Sequence, residues 1–217
     1  MKRLLIPALS LSAAVAFAGA VPRVDTSSVT FTERAPNWVE ISYTLSDAPG
    51  VVTIDIQTNR TGSATSDPAD WVSIGARNFR SLAETVNRLE KRVGEKVTVR
   101  WRARKDWPDQ KLGGVPIRAD VKAWSVTAPP AYMVVDLTVK SNVTYYASAD
   151  LVPGGAQADE YKLTKLLMRR IPAAGVVWMM GYPRRYDDED AGSVNSPGHL
   201  VCLTEDYYMG VYELTRT

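Results

Sequence analysis

The sequence predicts a mainly β protein that begins with a β-sandwich and continues into a second, smaller region. Three observations lead to this fold class. Short runs rich in β-branched and aromatic residues recur between residues 27 and 128, turn residues separate them, and the clearest run alternates between apolar and charged side chains. The chain has 217 residues, of which 45% are hydrophobic and 23% charged, so it is long enough to bury a substantial core.

The first twenty residues read as a separate segment. Lys2 and Arg3 precede an apolar stretch over residues 4–18, and small residues at Ala18 and Ala20 match cleavage positions. This layout is typical of a secretory signal peptide, which we assign to residues 1–20. The alternative is a retained N-terminal anchor. We therefore expect a secreted, periplasmic or cell-envelope protein with no membrane span after cleavage.

The sandwich is predicted over residues 21–130. Runs at 29–33, 38–45 and 51–56 supply its first strands, and Pro49-Gly50 marks a turn between two of them. In the run 96–104, one face carries Val97, Val99, Trp101 and Ala103 while the other is polar or charged, which predicts a half-buried antiparallel strand. A further strand is predicted at 121–126. Roughly seven short strands in such a length favour a sandwich of immunoglobulin or fibronectin type.

One segment of this region has helical rather than strand periodicity. Phe79, Leu82, Val86, Leu89 and Val93 recur at spacings of three and four residues. We predict one or two helical turns within residues 81–92, crossing between the sheets. A strand followed by a turn is the alternative.

Pro129 and Pro130 end the sandwich, because consecutive prolines cannot continue a central strand. A strand and linker are predicted over residues 131–165, with a strand at 132–139 that pairs with 143–147. The last region, 166–217, contains predicted strands at 175–181 and 200–203, separated by a polar loop at 184–197.

Several short motifs follow one another in this last region. They are Ile171-Pro172-Ala173, Met180-Gly181, Pro197-Gly198-His199-Leu200-Val201-Cys202-Leu203, Asp206-Tyr207-Tyr208-Met209-Gly210 and Tyr212-Glu213-Leu214-Thr215. In this order they resemble the opening segment of the formylglycine-generating enzyme, or sulfatase-modifying factor, family. Residues 97–103, 106–108, 121–125 and 132–137 are similar to a β-sandwich prefix found before such domains. The resemblance implies an α+β, C-type-lectin-like domain that is incomplete over residues 166–217.

The family oxidises a substrate cysteine with oxygen at a copper-binding cysteine pair, which lies downstream of the opening segment. Cys202 is the only cysteine here and His199 the only histidine. A single thiol and a single imidazole do not make a Cu(I) site or a catalytic pair. We interpret Cys202 as a buried, inert thiol, with a metal or redox role as the alternative, and His199 as structural. We therefore assign no catalytic, cofactor-binding or metal-binding residue and expect no cofactor in this chain.

Other polar clusters have an ordinary interpretation beside a functional one. The acidic run 187–190 is interpreted as a solvated loop, with a Ca²⁺ site as the alternative. Arg169-Arg170 and Arg184-Arg185 are interpreted as surface residues, with contact to an anionic partner as the alternative. The net charge of +2 gives no indication of nucleic-acid binding.

Three tryptophans suggest a carbohydrate platform as the alternative to packing. Trp101 and Trp124 lie on faces that read as core, so we predict both to be buried, and Trp107 is the better candidate for exposure.

Three functions remain in contention. The first is a catalytically silent N-terminal portion of a protein of the sulfatase-modifying factor family. The second is a stand-alone envelope module that binds a glycan or a protein. The third is an enzyme of another class, for which the sequence distinguishes no catalytic set.

Overall fold

The computed structural model describes residues 19–34, 38–62, 67–80, 86–109, 112, 116–139, 142–181 and 198–214. Within these ranges the chain is mainly β, arranged in several antiparallel sheets. The predicted signal peptide lies outside the described residues except for Gly19 and Ala20. No helix among the described residues has the length and apolar character needed to cross a membrane.

Two sheets form the first part of the chain, which we call the sandwich lobe. In the first sheet the central strand β3 has β1 and β2 on one side and β8 on the other, with β6 beyond β8. Its strands are β1 (Arg23–Val24), β2 (Thr30–Arg34), β3 (Trp38–Ser46), β6 (Phe79–Arg80) and β8 (Lys96–Trp101).

In the second sheet, β4 pairs with β9 along most of its length, and β5 and β7 pair with the two ends of its other side. Its strands are β4 (Gly50–Asn59), β5 (Trp71–Ser73), β7 (Arg88–Glu90) and β9 (Ile117–Trp124).

The two sheets face each other across one buried core. Alternate residues of β3, β4 and β8 point into it, as period-two alternation requires. Its fully or nearly fully buried members are Val39, Ile41, Tyr43, Leu45, Val52, Ile54, Ile56, Val97, Val99, Trp101 and Ala103. The predicted mainly β fold and the predicted inward face of the run 96–104 are therefore confirmed.

The strand predicted at 96–104 ends early, at Trp101, and Ala103–Asp106 form a one-turn helix, α1. The Asp106 carboxylate accounts for this ending. Asp106 Oδ2 accepts the Trp101 indole N–H and the backbone N–H groups of Arg77 and Asn78, each at 2.8 Å. One side chain thus anchors the buried tryptophan and the segment before β6.

The helical turns predicted within 81–92 are wrong for the described part, residues 86–92. Asn87 has a left-handed φ of 57°, which interrupts any helix, and β7 follows at once. β7 pairs with Gly50–Val52 of β4. The main-chain hydrogen bonds of this pairing outweigh the local periodicity, which is a weak preference that tertiary contacts override.

Gly50 lies at a close approach between the two sheets. A Cβ built at this position would be 2.6 Å from Pro22 Cγ and 2.7 Å from the Trp124 carbonyl oxygen. These contacts leave no space for a side chain, so glycine is required here by packing.

Beyond Pro130 the chain forms a second unit, which we call the C-terminal lobe. Its sheet has the order β11-β10-β12-β15, all antiparallel, and a separate hairpin joins β13 to β14. Its strands are β10 (Tyr132–Asp136), β11 (Asn142–Tyr146), β12 (Lys165–Ile171), β13 (Val177–Met180), β14 (His199–Cys202) and β15 (Tyr207–Gly210). A one-turn helix, α2 (Glu160–Leu163), precedes β12.

This lobe has a small core of its own, formed by Val134, Val152, Tyr161 and Leu167. The predicted pairing of 132–139 with 143–147 is confirmed. β10 stops at Asp136 because its Oδ1 accepts the Thr138 N–H at 2.9 Å, which starts a turn.

Candidate functional site

The two lobes meet at Asn87 and Arg88. The Asn87 carbonyl accepts the Tyr145 N–H of β11 at 2.7 Å, while Asn87 Oδ1 accepts the Ile54 N–H of β4 at 2.9 Å. The Arg88 guanidinium donates to Asn142 Oδ1. Asparagine tolerates a positive φ better than most residues, which accounts for the turn at Asn87. The hydrogen bonds of the same residue join the lobes.

A groove opens beside this junction, and we call it the interlobe groove. It has two halves that share Ala76, Asn87, Tyr146 and Leu151 as walls. The larger half has a volume of about 700 Å³ and the smaller one about 360 Å³. Volumes of this order are typical of sites for small molecules.

Arginines line the larger half, which we call the basic half. Arg77 and Arg80 are exposed, and Arg88 is partly buried. No carboxylate occurs among the described residues that line this half. Its neutral polar members are Asn87, Asn142, Thr144 and Tyr146.

Carboxylates predominate in the smaller half, which we call the acidic half. Asp55 of β4 and Asp120 of β9 are direct cross-strand partners, and Asp150 and Lys122 also line this half. Gln57 Nε2 donates to Asp55 at 3.1 Å and to Asp120 at 3.4 Å, while Gln57 Oε1 accepts from Arg118 Nε at 3.0 Å. The Gln57 amide N–H group thus bridges the two negatively charged carboxylates.

Burial is the main reason that the pKa of Asp55 is raised above its ordinary value. Hydrogen bonds from Ser73 and Gln57 oppose this shift, and the Asp120 charge adds to it. Burial likewise raises the pKa of Tyr146 above its ordinary value. The groove therefore contains carboxylates, guanidinium groups and neutral donors within one cleft.

The single cysteine does not lie where the sequence suggested. Cys202 is exposed, so the prediction of a buried thiol is wrong. It lies on β14 opposite Val177 of β13, in a two-stranded antiparallel sheet. His199 is exposed on the same strand. No cluster of metal-ligating side chains occurs in the part of the chain that the structure describes.

The tryptophans divide between core and surface. Trp101 has 0% exposure, as predicted. The prediction that Trp124 is buried is wrong, because it is half-buried on the outer face of the second sheet, where its indole N–H donates to Thr53 Oγ1 at 2.9 Å. Trp107, the candidate for exposure, is also half-buried, and its backbone N–H bonds to the Ala103 carbonyl.

The arginine pairs and the acidic run have different outcomes. Arg169 is exposed, whereas Arg170 Nε bonds to Asp206 Oδ2 at 3.0 Å. Residues 184–185 and 187–190 lie outside the described residues, so the structure does not test the second arginine pair or the alternative of a Ca²⁺ site in the acidic run.

Asp206 has a structural role that sequence reasoning did not assign. Its Oδ1 accepts the N–H groups of Ala173 and Ala174, each at 3.0 Å. The pKa of Asp206 is lowered below its ordinary value, and the hydrogen bond from Ala174 is the largest cause. The hydrogen bond from Ala173 and the Arg170 guanidinium lower it further. The carboxylate therefore fixes the turn after β12 against the start of β15.

Exposed apolar side chains are concentrated in the C-terminal lobe. Leu200 is 70% exposed and Met209 is 58% exposed. Others on the same strands or next to them are Val176, Val177, Met179, Met180, Tyr207, Val211 and Leu214. We call this set the apolar surface of the C-terminal lobe.

Comparison with known proteins adds no family or relative. No family model matches the chain, and no curated protein or solved structure matches it significantly.

Proposed function

We propose that this chain is the exported, non-catalytic N-terminal portion of a protein of the formylglycine-generating, or sulfatase-modifying factor, family. In this proposal the sandwich lobe is an immunoglobulin- or fibronectin-like prefix, and the C-terminal lobe is the first part of a C-type-lectin-like domain. The apolar surface of the C-terminal lobe then packs against further polypeptide of that domain.

The exposure of that apolar surface is the observation that carries the proposal. Large apolar side chains that are exposed together on neighbouring strands usually mark sites where protein packs. Here β13 and β14 expose Met179, Met180 and Leu200 to more than half of their full extent.

The placement of the motif residues gives further support. Ile171 pairs with Tyr207 across β12 and β15, and Met180 pairs with His199 across β13 and β14. Residues that carry the family resemblance but are far apart in sequence are therefore neighbours in one lobe. A domain whose motifs are conserved for packing is expected to have this property.

The proposal makes the chain non-catalytic because of its cysteine content. A Cu(I) centre of this family needs paired thiolates, and the chain contains one cysteine, which is exposed. We expect the purified chain, loaded with Cu(I) and supplied with oxygen, to leave a cysteine-containing substrate peptide unoxidised when the peptide mass is measured. A competent family member on the same peptide is the control. Formation of formylglycine by this chain would overturn the proposal.

The packing claim has a separate test. The DNA that follows the Thr217 codon is read, and the chain is expressed with and without the continuation of its frame. We expect the continuation to encode paired cysteines, to reduce binding of an apolar dye, and to slow amide exchange in β13 and β14. Unrelated downstream sequence, or an unchanged exchange rate, contradicts the proposal.

The interlobe groove favours a second candidate, an envelope module that binds a glycan or a protein. The groove combines hydroxyl, amide, carboxylate and guanidinium groups with aromatic walls, the usual mixture at such sites. A glycan array with the full chain tests it. An array on which no glycan binds would count against this candidate.

A further inference from the structure

Guanidinium groups supply the charge along the described lining of the basic half of the interlobe groove. Three guanidinium groups line it, while its described lining contains no carboxylate. Neither Arg77 nor Arg80 forms an ion pair with a described residue, and the ion pairs found in the described part of the sandwich lobe engage other arginines or Lys122. Guanidinium groups favour carboxylate, sulfate and phosphate because they donate two parallel hydrogen bonds to such anions.

The neutral groups of the basic half suit a ligand with many hydroxyls. Asn142 and Thr144 lie on β11, on the C-terminal side of the cleft, and Asn87 lies on the sandwich side. Tyr146 lies on the same strand and adds a hydroxyl, which can both donate and accept. Amide and hydroxyl groups both donate and accept, as sugar hydroxyls do.

The shape of this half restricts the class of ligand further. It is concave, has a volume of about 700 Å³, and is walled by Phe79 and Tyr146. Aromatic faces give apolar area against which a sugar ring packs. A long nucleic acid needs a charged track over the surface, whereas the chain has a net charge of only +2.

From these features we propose that the basic half of the interlobe groove binds an acidic saccharide, with Arg77 and Arg80 contacting its anionic groups. This inference rests on the second candidate function and names its ligand class. It does not depend on membership of the sulfatase-modifying factor family.

Calorimetric titration of the full chain tests the proposal at low and at physiological salt. The probes are a heparin-derived tetrasaccharide, which carries sulfate, and trigalacturonate, which carries carboxylate. Maltotriose is the neutral control, and polyglutamate tests an acidic peptide instead. We expect binding of at least one acidic saccharide that weakens with salt, and none of maltotriose.

The matched variants remove the same number of charges at different places. Arg77→Gln/Arg80→Gln is expected to weaken binding by about tenfold or more, since two charge-assisted contacts are lost. Arg23→Gln/Arg104→Gln, which changes two exposed arginines outside the groove, is expected to leave affinity within about twofold. Melting temperatures equal to that of the unmodified chain show that both variants are folded.

Three outcomes overturn the inference: neither acidic saccharide binds, both double variants lose affinity equally, or polyglutamate binds more tightly than either saccharide. Binding of other glycans on the array while both acidic saccharides fail would leave the module hypothesis standing and remove only the charged ligand class.

Discussion

The two lobes differ in how completely their sheets are covered. In the sandwich lobe, two sheets cover each other, and the core residues of β3 and β8 have exposures near 0%. In the C-terminal lobe, one sheet has a core of four residues, and the hairpin beside it presents apolar side chains to solvent. The comparison teaches that strand content alone does not make a closed domain. What closes the sandwich is a second layer.

The largest expected effect comes from the sandwich core. Trp101→Ala should lower the free energy of unfolding by about 3–5 kcal/mol, because it removes a fully buried indole and leaves a cavity. Urea denaturation followed by circular dichroism measures the loss. The control is Trp101→Phe, which keeps an aromatic ring but loses the hydrogen bond to Asp106 and should cost less. A loss below about 1 kcal/mol for Trp101→Ala would show that this core is not closed.

Close packing at a glycine gives the next effect. Gly50→Ala should destabilise the sandwich by about 1–3 kcal/mol, because the new methyl group meets Pro22 and the Trp124 carbonyl. In the C-terminal lobe, Gly210→Ala is the counterpart, with its nearest obstacle, the Tyr212 carbonyl, at 3.1 Å. Thermal unfolding should show a smaller drop in Tm for Gly210→Ala. An equal drop would remove the contrast in packing.

Acid should loosen the C-terminal lobe through Asp206. The folded pKa of this carboxyl is below its unfolded value, so its contribution is present above the unfolded pKa, about 4, and is lost as pH falls toward the folded pKa. The protection of the Ala173 and Ala174 amides, measured as exchange relative to the intrinsic rate at the same pH, should therefore fall in acid. Asp206→Asn should show low protection already at neutral pH and little further change. Protection in the unmodified chain that does not depend on pH would contradict this account.

A buried hydroxyl offers a gain in stability. Tyr43 is fully buried, and its hydroxyl has no hydrogen-bond partner among the described residues. Tyr43→Phe removes this unsatisfied group and should stabilise the sandwich by up to about 1 kcal/mol. Denaturant titration measures it. Destabilisation would mean that the hydroxyl is satisfied in solution.

The smallest effect on stability is expected at the apolar surface of the C-terminal lobe. Leu200→Ser should change the unfolding free energy by less than about 0.5 kcal/mol, since the side chain is 70% exposed. It should nevertheless reduce fluorescence of an apolar dye bound to the chain. Unchanged dye fluorescence would indicate that Leu200 is already covered in solution.

Sequence periodicity predicted the mainly β fold and much of the core, because inward and outward positions alternate on strands such as β8. The prediction failed where burial was inferred from the apolar character of a residue rather than from its position on the strand. Trp124 lies one residue beyond Ala123, so it faces the opposite side of β9 from the core, although both residues are apolar. Cys202 lies on a strand, yet no second layer among the described residues buries it.

The interlobe groove was not predictable from local patterns. Its arginines come from residues 77–80 and from the first residue of β7, whereas its opposite wall comes from β11 and the following turn. The hydrogen bonds of Asn87 with Tyr145 and of Arg88 with Asn142 bring these segments together. Such contacts between distant segments leave no periodic signal. Asparagine is enriched at positive φ, so Asn87 is a local signal for a turn. It carries no information about the groove.

The Asp106 carboxylate connects the core of the sandwich lobe to the wall of the interlobe groove. It accepts both the indole N–H of Trp101, deep in the core, and the backbone N–H of Arg77, at the wall of the groove. Any ligand that fixes this wall is thermodynamically linked to the folding of the sandwich. A bound ligand should therefore raise the melting temperature of the sandwich lobe, and a substitution that disrupts the core should lower the affinity for the ligand.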